Sequence, residues 1–293
     1  MISRRGFAVL AGVTAVACGV GIGRARAAAL AALVAELVRL ERDSGGRLGV
    51  AVLDTRDGTL VAHRGDERFP LCSTFKLLAA GAVLARVDAG QEWLARRIRF
   101  EKSALVSYSP ATERHAGGDG MTLDQLCEAA ITLSDNTAGN LLLEAIGGPP
   151  ELTRFARTLG DVTTRLDRIE TALNEAVPGD ERDTTTPTAM LRDIHKLVLG
   201  DVLTPASRAH LVGWLMANQT GGARLRAGLP PDWRIGDKTG SGDQGTANDV
   251  GVIWPPGRAP LIVTAYLTGT DASMDQRNAI HAGIGRAVAA ALG

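Results

Sequence analysis

The sequence predicts an α+β fold: an antiparallel five-stranded sheet flanked by terminal helices, with an all-helical domain inserted between its strands. Three observations predict it. Strand-like runs joined by hairpin turns occur near both ends of the chain, helical spacing dominates from about 70 to 220, and the outermost segments are helical.

The elements follow in order. Leu30, Leu33, Leu37 and Leu40 are spaced three or four apart, which predicts an amphipathic helix over 28–43. Arg47–Leu53 reads as a strand, and Asp57-Gly58 as the turn into a second strand at Leu60-Val61-Ala62. The helical stretch is interrupted by turns at Gly117-Gly118-Asp119-Gly120 and Gly147-Gly148-Pro149-Pro150. Strands return at Trp233–Thr239, Thr246–Trp254 and Leu261–Leu267, with Pro255-Pro256-Gly257 as a turn, and a last helix covers Met274–Leu292. Residues 28–66 and 217–293 would therefore form the sheet-containing domain, and 67–216 the helical one.

Composition narrows the function. At 293 residues, 45% hydrophobic and 22% charged, the chain is an ordinary globular one rather than a disordered one. Its 32 basic and 32 acidic groups leave no basic excess for nucleic acid. Past the N-terminus no apolar run reaches the ~18 residues that a membrane span needs. The N-terminus reads as an address: Ser3-Arg4-Arg5-Gly6-Phe7 is a twin-arginine start, an apolar stretch runs from Phe7 to Ile22, and Ala25-Arg26-Ala27 offers a peptidase its small residues. Export to the periplasm or medium is expected, with residues 1–27 removed; Arg4, Arg5, Arg24 and Arg26 leave with them, so 28 basic groups face 32 acidic ones, a net of −4. A second reading makes Ala15-Val16-Ala17-Cys18 a lipoprotein site with Cys18 lipidated. Cys72 and Cys127 read as buried free thiols.

Three short motifs carry chemistry. Ser73-Thr74-Phe75-Lys76 follows Pro70 and opens an apolar run, which puts a hydroxyl at a helix start with an amine one turn on. A capping serine beside a solvated lysine is the plain alternative, and about 0.14 such pairs are expected by chance. Lysine scarcity sharpens the signal. Beside 28 arginines stand only Lys76, Lys102, Lys196 and Lys238, and a proton carrier must be able to go neutral, as arginine cannot. Lys238 opens the second motif, Lys238-Thr239-Gly240, whose glycine would let another molecule approach the strand closely. The third, Ser134-Asp135-Asn136, reads alone as a turn or cap; in an extended segment Ser134 and Asn136 would point one way, into a shared cleft.

Together these motifs resemble those of the serine β-lactamases and penicillin-binding proteins, and closely those of class A β-lactamases. The resemblance extends to Tyr108-Ser109-Pro110, to Ala130-Ile131-Thr132-Leu133 before Ser134, and to Asp237 before Lys238. Arg168-Ile169-Glu170-Thr171-Ala172-Leu173-Asn174, continuing to Arg182-Asp183-Thr184-Thr185, resembles the family's Ω-loop, here 165–183.

The resemblance implies a cofactor-free, metal-free hydrolase of small-molecule β-lactams: penicillins and some cephalosporins. Ser73 would be the nucleophile, Lys76 a base or relay, Ser134 the proton donor to the leaving nitrogen, and Lys238 the holder of that network. Glu170 and Asn174 would hold and drive the deacylating water, and the N–H groups of Ser73 and Ser241 would form the oxyanion hole. Tyr108, Asn136, Thr239, Gly240, Ser241 and Arg224 would contact substrate. Either Lys76 or Glu170 serves as the acylation base. No stable protein partner is implied, so a monomer is expected.

Three departures from common family patterns inform. Ala80 stands where many members place the disulfide partner of the Cys127 position, so that bridge is absent; Ala247 stands where many carry a substrate-binding arginine, and Arg224 matches the alternative source of that charge; and Ser241 follows the Lys-Thr-Gly triplet as in several broad-spectrum members. A penicillin-binding transpeptidase or a one-shot antibiotic sensor would share Ser73, Lys76, Ser134 and Lys238, but Glu170 with Asn174 argues for turnover. His63, His115, His195, His210 and His281 form no zinc-binding spacing, and no Gly-x-Ser-x-Gly elbow occurs.

Overall fold

The structure is a computed structural model that describes residues 14–293, with side chains described from Arg24 onward; the Arg4-Arg5 pair lies outside the described residues. The first helix, α1, spans Thr14–Ser44 and so starts earlier than the leucine spacing predicts. The alanine-rich residues ahead of it are strong helix formers and extend it through Ala25-Arg26-Ala27. There Arg26 pairs with Asp57 at 2.6 Å.

Strands β1 (Arg47–Asp54) and β2 (Thr59–His63) form the expected hairpin. The helical part contributes α2 (Phe75–Asp88), α3 (Leu123–Thr132), α4 (Asn136–Ile146), α5 (Pro149–Thr158), α6 (Pro187–Ile194) and α7 (Pro205–Met216). The Gly147–Pro150 turn divides in two. Gly147, at φ +106°, ends α4 in the left-handed region, while Pro149 already belongs to α5, where its missing N–H costs nothing. Strands β3 (Arg234–Gly242), β4 (Thr246–Trp254) and β5 (Leu261–Thr268) and helix α8 (Met274–Leu292) complete the chain.

The sheet is antiparallel throughout, in the order β2-β1-β5-β4-β3. The β1–β5 pairing joins the two ends of the chain, with Val50 opposite Ala265. Alternation along the strands gives the sheet two apolar faces. Leu48, Val50, Val52, Val263 and Leu267 pack with Leu33, Leu37 and Leu40 of α1 and with Ile284 and Val288 of α8. Ala51, Val250, Val252, Ile262 and Tyr266 pack with the helical part, through Leu77 and Leu78 of α2 and Met190 and Leu191 of α6. Helix α2 is buried from Phe75 to Leu84, so its first turn is held by neighbours on every side. Cys72 and Cys127 are buried free thiols, as their sequence context predicts.

Two short strand pairs lie outside the sheet. Phe69-Pro70 pairs with Thr184-Thr185 and ties the base of the 165–183 loop to the chain just before Ser73. Arg97-Ile98 pairs with Met121-Thr122.

Candidate active site

Ser73 sits in a single 3₁₀ turn, Cys72–Thr74, that leads directly into α2. One turn later Lys76 is fully buried, and its Nζ lies 3.0 Å from Ser73 Oγ. The same ammonium donates to Asn136 Oδ1 at 2.6 Å and to the Ser134 carbonyl at 2.9 Å. It also lies 2.9 Å from Glu170 Oε1. Burial pushes the Lys76 ammonium down from the usual lysine range, and the Glu170 carboxylate opposes that shift.

Ser134-Asp135-Asn136 forms a turn and helix cap, as it reads alone, and Ser134 and Asn136 reach the cleft from it rather than from an extended segment. Ser134 takes a left-handed φ of +58°, and Asn136 is the first residue of α4. Asp135 explains the turn: its Oδ1 caps α4 by accepting from the Ala138 N–H at 2.8 Å, and its Oδ2 accepts from Ala111 and Thr112. Ser134 Oγ accepts from Lys238 Nζ at 2.9 Å. Lys238 is fully buried on β3, and burial, with Lys76 and Arg224 as like charges, holds it well below its ordinary range. Tyr108 stands at the mouth, 61% exposed with φ +60°. Cys72, Tyr108 and Ser134 are thus three non-glycine residues with positive φ around one cleft, where strained backbone marks a site that its surroundings hold in place.

The 165–183 loop brings Glu170 to within 3.1 Å of Ser73 Oγ, and Asn174 Nδ2 donates to Glu170 Oε2 at 2.5 Å. Arg168 Nε meets Asp183 Oδ2 at 2.6 Å, and Asp183, 1% exposed, also accepts the N–H groups of Asp167 and Arg168. The ends of the loop are therefore closed by a mostly buried pair. Two residues not singled out from the sequence complete the site. Asn140 accepts the Glu170 N–H at 2.8 Å and donates to the Glu170 carbonyl at 3.0 Å, and Thr220 Oγ1 lies 2.5 Å from Thr239 Oγ1. Asn140 could have been found, since it stands one helical turn after Asn136.

On the β3 side, the group that approaches Gly240 is the chain itself. A side-chain carbon there would lie 3.1 Å from the Leu71 carbonyl and 3.2 Å from Cys72 Cβ, so glycine lets the strand close on the Ser73 turn. Arg224, 5% exposed, reaches in from the loop after α7. It donates to the carbonyls of Gly240 at 2.8 Å and Asn248 at 2.5 Å, and to Ser241 Oγ at 2.7 Å. Ala247, fully buried opposite Ser241, leaves the role of cation there to Arg224.

Ser73, Tyr108, Ser134, Asn136, Asn174, Thr220, Arg224, Thr239, Gly240 and Ser241 line one cleft of about 290 Å³, with Lys76, Glu170 and Lys238 buried behind its surface. A larger cavity, about 510 Å³, lies behind the loop among Arg68, Leu173, Pro178 and Arg182, and none of the three motifs lines it.

A buried hydroxyl with a lysine, a carboxylate and a second hydroxyl–lysine pair around it defines a serine hydrolase that works through an acyl-enzyme. The comparisons with known proteins say which one. Residues 29–292 match the model of the beta-lactamase enzyme family. The chain is 53% identical over 254 residues to beta-lactamase AST-1 of Nocardia asteroides, covering 87% of this chain and 82% of that protein. It is 49% identical over 257 residues to beta-lactamase OXY-1 of Klebsiella oxytoca, covering 88% of each. Among solved structures, the ancestral (GNCA) class A β-lactamase matches with a TM-score of 0.86 and 65% identity, over 87% of this chain and 98% of that one. The chain belongs to the beta-lactamase enzyme family and is a class A β-lactamase that hydrolyses β-lactams.

Proposed function

We propose that this chain hydrolyses penicillins, and some cephalosporins, through an acyl-enzyme on Ser73 that a water driven by Glu170 releases. The observation that carries the reading is the position of Glu170, with Oε1 3.1 Å from Ser73 Oγ and Oε2 held by Asn174. Ser73 attacks the lactam carbonyl, and the N–H groups of Ser73 and Ser241 take the developing negative charge. Ser134, held by Lys238, gives its proton to the departing lactam nitrogen. Lys76 Nζ and Glu170 Oε1 lie 3.0 and 3.1 Å from Ser73 Oγ, so either can take the Ser73 proton, and with Glu170 removed Lys76 still allows acylation.

Arg224 and Ser241 receive the substrate carboxylate, with Thr239 and Lys238 beside them. Because Ser241 Oγ accepts from Arg224, its own hydrogen is turned outward for a carboxylate or carbonyl. This supports cephalosporin binding.

We further propose export by the twin-arginine route with removal of residues 1–27, supported by Arg4-Arg5 and Ala25-Arg26-Ala27. Benzylpenicillin and a cephalosporin should both be turned over many times by the purified protein. Export is tested by replacing Arg4 and Arg5 together with lysine, which should keep activity inside the cell; unchanged activity outside it would refute the route, and a lipid-modified Cys18 in the exported protein would replace cleavage after residue 27.

A further inference from the structure

Two buried carboxyls behind the cleft are left unused by the chemistry above. Asp237, next to Lys238 on β3, and Asp249 on β4 are both fully buried. Asp237 lies two residues before Thr239, which is directly opposite Asp249 in the sheet register, so both acids stand on one face of the sheet. They are diagonal neighbours across the β3–β4 pairing.

Their other partners all belong to the segment that carries Arg224. Asn218 Nδ2 donates to Asp237 Oδ2 at 2.7 Å, and Arg226 Nη2 donates to Asp237 Oδ1 at 2.7 Å. The Leu225 N–H donates to Asp249 Oδ2 at 3.1 Å. These bonds fall on both sides of Arg224. Gly221 shows how near the segment comes: a side-chain carbon there would lie 1.7 Å from Asp237 Oδ2. Asp249 Oδ1 is buried with no hydrogen-bond partner among the described residues. Two bare carboxylates side by side without solvent would repel each other, and a proton on Asp249 removes that conflict. Burial and the Asp237 charge both hold Asp249 well above the usual carboxylate range. The pair then carries one negative charge, faced by the Arg226 and Arg224 guanidiniums.

We infer that Asp237 and Asp249 are positioning residues for Arg224: through Asn218, Leu225 and Arg226 they hold residues 218–226 at the depth at which Arg224 meets a substrate carboxylate. This rests on the reading of Arg224 as the carboxylate receptor. Neither acid touches substrate, so the pair acts on KM for anionic substrates rather than on the acylation and deacylation steps.

The test compares benzylpenicillin with its methyl ester, which lacks the anion, on the purified exported enzyme. Asp249→Ala leaves the buried Leu225 N–H without its acceptor. It should raise KM for benzylpenicillin about tenfold, the effect of losing one buried hydrogen bond, and leave KM for the ester and both kcat values nearly unchanged. Asp249→Asn keeps a neutral side chain beside Asp237 and an acceptor for Leu225, and should restore the wild-type KM. An equal loss on both substrates would mean a purely structural role and overturn the inference. So would an Asn variant as impaired as the Ala variant, since that would mean an ionised Asp249.

Arg224→Ala separates the two levels. If it fails to discriminate acid from ester, the carboxylate reading falls and takes the inference with it. If it discriminates and Asp249→Ala does not, the positioning claim alone is wrong. Should Asp249→Ala not fold, Asn218→Ala, which cuts a different bond to the same pair, must show the same acid-selective rise in KM for the inference to stand.

Discussion

Lys76 Nζ lies 2.9 Å from Glu170 Oε1, so the two groups that could activate Ser73 form a fully buried ion pair. Removing either strands the other's charge in a site without solvent. Lys76→Ala should therefore slow acylation by about 10²–10⁴-fold, measured as the burst rate with a chromogenic cephalosporin. Lys76→Arg should not restore it, because a planar guanidinium cannot go neutral and cannot reproduce the four contacts made by one nitrogen. Wild-type acylation by the arginine variant would show that Lys76 serves only as a fixed positive charge.

Asn140 holds the Glu170 backbone at both its N–H and its carbonyl. Asn140→Leu keeps much of the volume but removes both bonds and leaves two backbone groups unpaired. Stability should fall by about 2–4 kcal/mol, with deacylation slowed more than acylation. Urea melts and pre-steady-state kinetics would show both; equal slowing of the two steps would argue against a role specific to Glu170.

At the base of the loop, Asp183→Asn breaks the bond between Asp183 Oδ2 and Arg168 and leaves a largely buried guanidinium without that partner. The cost should be about 3–5 kcal/mol, with loss of kcat that added salt does not mimic. A melting temperature within 1–2 °C of wild type, roughly half a kcal/mol for a domain of this size, would show that the pair contributes no more than a surface ion pair.

Asp193, fully buried on α6 with neither carboxyl oxygen paired, gives a pH dependence. Burial, then the Asp161 charge, pushes its pKa up from 3.8 to about 9. Between those values the folded chain holds a proton that the unfolded chain releases, so this residue's contribution to stability declines as pH rises through that window. Asp193→Asn should raise the melting temperature more at pH 8 than at pH 5 and flatten the profile between them. An equal shift at both pH values would show that Asp193 does not titrate in this range.

The five strands were legible because apolar alternation and the turns Asp57-Gly58 and Pro255-Pro256-Gly257 are local signals. The start of α1 was not, because helix propensity in the preceding alanines carries no amphipathic pattern. Ser73, Lys76, Ser134 and Lys238 stood out through motif and lysine scarcity, but their meeting depends on long-range packing: Ser134 and Lys238 are 104 positions apart in sequence, yet Oγ and Nζ are hydrogen-bonded at 2.9 Å. The turn or cap at Ser134-Asp135-Asn136 was legible, but the bonds from residues 111 and 112 that anchor Asp135 were not, because no local pattern reveals them. Thr220 and the Asp237–Asp249 pair were invisible for a related reason, since their partners lie across strands or in another loop.

The central claim is that Ser73 is acylated and that Glu170 drives the water that frees it. Intact mass spectrometry during reaction with benzylpenicillin tests it most directly, on the wild type and Glu170→Ala in parallel. Full turnover with no lasting adduct on the wild type, and one stable adduct mapping to the Ser73 peptide on the variant, is the predicted result. A stable adduct on the wild type without turnover, or wild-type turnover by the Glu170→Ala enzyme, would contradict the account.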